Sequence, residues 1–267
     1  MPDVGYPAQV LLRMRFELDL YVNLRPARLY DDRLSPLRDP QRRGIDLLIV
    51  RENTEGLYVG AGGRFRRGTP AEVAIQEDVN TALGVNRILE YGFAKAHRKL
   101  CMVDKSNAMN HAGGLWQDRW KALAKEHPEL ETRHLYVDAA AMELVRDPTQ
   151  FEVIVTGNLF GDILSDLTAS LVGGMGIAPS GNLNPETGRG LFEPVHGSAP
   201  NLAGQGVVNP FGAILSGAMM VEHLGHEEAA KRIENAVVEA IRAGECTRDL
   251  GGSLGTREAG AAVLKRL

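Results

Sequence analysis

Two aspartates four residues apart, Asp162 and Asp166 in Gly161-Asp162-Ile163-Leu164-Ser165-Asp166, share one face of any helix that begins at this segment. Acceptor-only carboxylates so placed suit a hard divalent cation, which takes oxygen ligands and retains some of its waters. The same pair also reads as an acidic first turn that complements the helix dipole. A third carboxylate, Asp138 in Tyr136-Val137-Asp138-Ala139, is either a further ligand or a helix N-cap.

Three arginines stand close to apolar structure: Arg15, Arg25 in Asn23-Leu24-Arg25-Pro26, and Arg51 just past an apolar run. Planar guanidinium groups pair bidentately with carboxylates, so together they could hold a dicarboxylic acid. Taken singly, most arginines lay the stem on the core and the head in water. Tyr58 and Lys105 follow strand signals, and near a cation a phenol and an amine can give and take protons. Both residue types also serve as packing or surface groups.

The elements that must position these groups are legible as runs. Ile45 to Val50, Phe151 to Thr156 and Leu100 to Val103 are continuous apolar stretches of the kind buried on both faces of a parallel sheet. Amphipathic stretches over 80–97, 113–127 and 163–172 lie between or after them, and 9–20 precedes them, so the pattern predicts an α/β fold. The last third is helical over 210–224 and 227–243, with Gly225 and Gly244 as stops. The glycine-rich stretch 173–190 is read as a loop or hinge with a domain boundary near its start.

A net charge of -4 argues against a protein that binds nucleic acid by neutralising phosphates. Two cysteines, Cys101 and Cys246, cannot form a disulfide framework and fit a reducing compartment. No apolar run reaches membrane-spanning length and Met1 to Ala8 lack signal-peptide character, so the expected location is the cytoplasm. There is no G-x-G-x-x-G fingerprint and no Walker A sequence.

Six segments in order, LYVNLRPAR at 20–28, VRENTEGLYVG at 50–60, DKSN at 104–107, NLFGDILSDL at 158–167, GGMGIAPSGN at 173–182 and FEPVHGSAP at 192–200, make the chain resemble the isopropylmalate/isocitrate dehydrogenase family. The resemblance implies an isopropylmalate dehydrogenase-like α/β fold of two domains. Residues 1–20 and 173–267 would form a cofactor-side domain lacking its N-terminal part, and 21–172 a dimerisation and metal/substrate domain. It also implies a homodimer with shared active sites, Lys105 and Asp138 of one subunit completing the cleft of the other.

By motif position, Arg15, Arg25 and Arg51 would grip substrate carboxylates, Asp162, Asp166 and a partner's Asp138 would hold Mg²⁺ or Mn²⁺, and Tyr58 and Lys105 would transfer protons. Glu193, His196, Gly197, Ala199, Asn201 and Asn209 would line an NAD site, with Asn107 near the nicotinamide. Asn201 replaces the aspartate usual in NAD-using relatives, and Leu202 departs from the NADP-type Lys-Tyr pair. The implied reaction is metal-dependent, NAD-linked oxidative decarboxylation of a substituted malate. Leu11 and Leu12, one turn before Arg15, favour 3-isopropylmalate, a substrate of leucine biosynthesis. The tartrate, D-malate, isocitrate and homoisocitrate enzymes are the alternatives. A reading of another class is an inactive dimerising fragment, since an incomplete first domain would expose a sheet edge.

Overall fold

A computed structural model describes residues 5–267, with side chains from Val10 onward. The reading of Met1 to Ala8 as free of a signal peptide therefore begins outside the described residues. In chain order the elements are α1 (Gly5–Glu17), β1 (Val22–Arg28), β2 (Asp46–Glu52), β3 (Gly62–Phe65), β4 (Val73–Gln76), α2 (Ala82–Lys95), β5 (Lys99–Asp104), α3 (Asn110–Glu126) and β6 (Glu131–Tyr136). There follow α4 (Val137–Arg146), β7 (Val153–Thr156), α5 (Asn158–Val172), β8 (Pro179–Asn184), β9 (Arg189–Pro194), α6 (Phe211–His223), α7 (Glu227–Arg242) and α8 (Thr256–Leu264).

Seven strands form one sheet in the order β6-β5-β7-β2-β1-β8-β9, and β3 and β4 form a separate hairpin. The β6, β5, β7 and β2 strands are mutually parallel, whereas β1, β8 and β9 each run antiparallel to the preceding neighbour. The three apolar runs are β2, β5 and β7, and alternation along them explains their unbroken apolarity. Val50, Leu100, Met102, Val153 and Val155 face α2 and α3, packing on Ile88, Phe93, Trp116 and Trp120. Leu47, Ile49, Cys101, Val103 and Ile154 face the other way, onto Leu144 of α4 and Leu164 and Leu171 of α5. A third core joins α6, α7 and α8 around Phe211, Val237, Ile241 and Val263. Gly225 and Gly244 take left-handed φ angles of 87° and 72° past the ends of α6 and α7, as stops require. Both cysteines are buried and unpaired.

The loop reading of 173–190 is corrected. Only its start turns: Gly173 and Gly174 have φ of 126° and 100° after α5. Residues 179–184 are strand β8, wholly buried between β1 and β9, and 189–194 are β9. Gly181 and Gly190 serve packing here, because a Cβ on either would stand 3.0 or 2.7 Å from the Phe192 ring. The polar alternation of Ser180, Asn182 and Asn184 is the strand signal that the glycines obscure. Pro26 sits within β1 beyond the pairing with β8, where the strand has a partner on one flank only.

This pairing predicts that the backbone amides of Gly181 to Leu183 exchange hydrogen far more slowly than those of the Thr187-Gly188 turn. Exchange by mass spectrometry reads this directly, and equal rates would contradict the strand.

Candidate active site

The carboxyl ends of β2 and β7 and the adjoining β1 converge on Asp162, where open α/β sheets build their sites. Asp162 Oδ1 accepts from Arg51 Nη1 at 2.5 Å and Arg25 Nη1 at 3.1 Å, and Oδ2 accepts from the Tyr58 hydroxyl at 2.7 Å. Arg51 also donates through Nε and Nη2 to Asn158 Oδ1, at 3.0 and 2.7 Å. Arg25 donates through Nε to Asn23 Oδ1 and through Nη1 to Ser165 Oγ, each at 2.7 Å. Asp166 stands 3.8 Å from Arg25 with its side chain 52% exposed, leaving oxygens for another ligand.

The helix carrying these aspartates starts at Asn158, three residues before Gly161. Asp162 is therefore in the second turn, and the acidic-first-turn reading fails on position. Gly161 has a separate cause, because a Cβ there would lie 2.5 Å from Arg51 Cγ and 2.7 Å from its Cβ. Only a residue without a side chain lets the Arg51 stem cross α5 to reach Asp162.

Charge explains the titration of this cluster. Burial and then the neighbouring Arg51 lower the Arg25 guanidinium to about 10, and burial lowers Arg51 as well. Burial alone would raise Asp162, but Arg51, Tyr58 and Arg25 outweigh it and hold the carboxyl below its ordinary range. Asp166 is raised, first by burial and then by the charge of Asp162. Tyr58 is raised by burial and by its bond to Asp162, so it keeps its proton at neutral pH.

Arg15, at the end of α1, is buried and donates to Glu193 Oε1 at 3.0 Å, while its Nε is buried with no partner among the described residues. Asn182 Nδ2 reaches the same carboxylate oxygen at 3.2 Å, and Asn182 Oδ1 accepts from Asn23 and Asn53 at 3.0 Å each. Substrate-side Arg15 and cofactor-side Glu193, assigned separate roles from sequence, are thus one ion pair. Leu11 and Leu12 lie half-buried one turn earlier on α1.

Lys105 and Asp138 form an ion pair apart from this cluster. Among the described residues of the single chain, no three His, Cys, Asp or Glu side chains gather as a metal site, so Asp138 does not join Asp162 and Asp166 within one chain. Asp138 is not the N-cap either; that position is Tyr136. Asp104 braces the Lys105 loop, accepting from Ser106 N at 3.1 Å and Gln117 at 2.9 Å, with His134 Nε2 at 2.7 Å. A cavity of about 90 Å³ beside Lys105 is lined by Leu57, Met109, Trp116 and Phe160 among others. Asn107 is exposed.

The stretch after β9 is an exposed loop at Gly197, Ala199 and Asn201, with His196 half-buried at its start. Ala199 is held at φ 41°, in the left-handed region that a residue with a side chain seldom occupies. Asn209 is buried, its Oδ1 accepting from Phe211 N and its Nδ2 donating to Asp249, each at 2.9 Å. These bonds anchor the start of α6. Asn23, Asn158, Ser165, Asn182, Asp104 and His134 belong to these networks and were not singled out from sequence. Each is an ordinary polar residue whose importance lies in what it touches.

Two outcomes follow from this geometry. Gly161→Ala should displace Arg51 and lower the denaturation midpoint, consistent with the roughly 1–3 kcal/mol typical of overpacking; an unchanged midpoint would show that Arg51 passes elsewhere. Because the folded Asp162 carboxyl lies below its unfolded value of about 3.9, its stabilising contribution is present above that pH and is lost as pH falls further. In chelator-treated buffer, Asp162→Asn should therefore flatten the acid limb of a stability-versus-pH curve below pH of about 4.

The family model described as isocitrate/isopropylmalate dehydrogenase matches residues 3–263. A 3-isopropylmalate dehydrogenase of Corynebacterium glutamicum is 49% identical across 97% of this chain and 75% of the relative. One from Thermobifida fusca is 48% identical across 97% of this chain and 73% of its own length. The crystal structure of isocitrate dehydrogenase from Methylococcus capsulatus superposes with a TM-score of 0.90 at 39% identity, covering all of this chain and 78% of the other. With that extent of match on sequence and on fold, the chain belongs to the isocitrate/isopropylmalate dehydrogenase family of oxidoreductases.

Proposed function

We propose that this chain oxidatively decarboxylates 3-isopropylmalate, with NAD⁺ as hydride acceptor and Mg²⁺ or Mn²⁺ as the metal. The observation that carries the reading is a site with three buried arginines, one whose Nε has no partner among the described residues, beside a carboxylate pair of which one member is half-exposed. Buried guanidiniums call for anionic partners, and a malate derivative brings two carboxylates. The curated relatives at 48–49% identity are named for 3-isopropylmalate, and half-buried Leu11 and Leu12 offer apolar surface near Arg15 for an isopropyl group.

Asp162 and Asp166 fit a hard cation by donor type and spacing, and Asp138 of a second subunit would supply the third carboxylate. A cation so held would supply stabilisation of negative charge developing on the substrate's oxygens. Glu193, His196, Gly197, Ala199, Asn201 and Asn209 would line the NAD⁺ site, with Asn107 near the nicotinamide, and the group held there would supply the hydride acceptor. Lys105 removes the hydroxyl proton, and Tyr58, protonated at neutral pH, returns one to the carbon that loses CO₂. The two proton transfers balance, so the products are a 2-oxo acid, CO₂ and NADH. Arg15, Arg25 and Arg51 hold the substrate carboxylates throughout.

A homodimer is the assembly in this reading, with Lys105 and Asp138 reaching the partner's cleft. Met142 and Val145 of α4 and Ile163 of α5, exposed by 68, 50 and 53%, support an apolar contact there. The domain division is 1–20 with 173–267 against 21–172, and the cytoplasm is the location. No described helix is long and apolar enough to cross a membrane.

The test is NADH formation with Mn²⁺ on 3-isopropylmalate, D-malate, tartrate, isocitrate and homoisocitrate. Turnover should be best with 3-isopropylmalate; turnover of none of them would leave the inactive dimerising fragment as the reading. Asp162→Asn should abolish metal-dependent turnover, a loss of about 10³-fold or more, while the protein still folds. Unchanged activity in that variant would remove Asp162 from the site.

A further inference from the structure

Asn182 lies in the middle of β8, fully buried and directly across the ladder from Asn23. Its amide uses every hydrogen-bonding valence. Nδ2 donates to the Leu191 carbonyl at 3.0 Å and to Glu193 Oε1 at 3.2 Å, and Oδ1 accepts from Asn23 Nδ2 and Asn53 Nδ2, both at 3.0 Å. Turning the amide over would set NH₂ against two NH₂ groups and oxygen against a carbonyl and a carboxylate, so one orientation is selected. Beyond these neighbours, Asn23 Oδ1 holds Arg25 Nε at 2.7 Å and Glu193 Oε1 holds Arg15 Nη2 at 3.0 Å. An unbroken chain of side-chain hydrogen bonds thus joins Arg25, Asn23, Asn182, Glu193 and Arg15.

We infer that Asn182 is a positioning residue for substrate selection: through Asn23 and Glu193 it sets the separation and orientation of the Arg15 and Arg25 guanidiniums, and so the spacing of carboxylates the cleft accepts. The inference rests on the reading of those arginines as substrate grips. Arg25 lies among the like charges of Arg51 and Arg15, so these long side chains need tethers to hold a convergent arrangement. A neutral amide is the group for the junction, since it must give protons to Glu193 and accept them from Asn23 at once. A carboxylate there would repel Glu193, and an aliphatic side chain would leave that carboxylate free to turn. Strand pairing supports the same conclusion, because β8 links the strand bearing Arg25 to the strand bearing Glu193.

The experiment is steady-state kinetics with Mn²⁺, NAD⁺ and 3-isopropylmalate on the wild-type protein, Asn182→Ala, Asn182→Asp, and Asn182→Asp combined with Glu193→Gln, with thermal unfolding of each. Asn182→Ala should raise KM for the acid about tenfold, the size of one lost bond to a charged group, with a smaller change for NAD⁺. The combined variant keeps the net charge and restores a donor opposite the new carboxylate, so it should recover part of the KM lost by Asn182→Asp alone. A lower Tm with KM for the acid unchanged would mean a purely structural role and would overturn the inference. Should Asn182→Ala fail to fold, Asn23→Ala breaks the same chain one link along and must raise KM likewise. If the wild-type protein turns over no acid, the functional reading fails separately. Calorimetric binding of D-malate then decides: weaker binding by the variant supports the tether, and equal binding or none by either protein rejects it.

Discussion

Asp162 is the counter-charge on which this site is assembled. Arg51 is almost wholly buried and Arg25 nearly so, and a guanidinium cannot be taken from water without an anion and well-formed hydrogen bonds. One carboxylate serves both through Oδ1, and its Oδ2 accepts from Tyr58. The strands bearing the arginines and the helix bearing the aspartate are thereby committed to one arrangement. The cost of burying charge and the geometry of the cleft are two views of the same contact.

Much of the surrounding structure follows from that arrangement. Gly161 is a glycine so that the Arg51 stem can pass, and Asn158 at the start of α5 accepts from Arg51 Nε and Nη2. Asn23 and Ser165 accept from Arg25 Nε and Nη1. Among the described residues, Arg15 Nε is buried without a hydrogen-bond partner. Burial and paired charges also separate the two aspartates in acidity, one held down by cations and the other raised by its neighbour. The carboxylate that anchors the arginines and the one left open to solvent are therefore chemically distinct despite sitting on one helix face.

The strands β2, β5 and β7 were legible as apolar runs because burial on both faces removes the need for polar alternation. The β8 strand was not, because its glycine, Gly181, accommodates Phe192 of β9, whose ring position no local pattern reveals. The arginines and aspartates were named by motif, and three of them do meet. Asp138 pairs with Lys105 instead.

The sequence by itself determined the α/β class, the family motifs and the residue types capable of the chemistry, since these depend on composition and on periodicities of two to four residues. Only the tertiary structure decided that Asp162 lies in the second turn of its helix, that Arg15 and Glu193 are partners, and that Asn182 joins them to Arg25. These are contacts between strands and helices far apart in the chain. Their existence depends on register and burial, which are set when the whole sheet assembles rather than by any one segment.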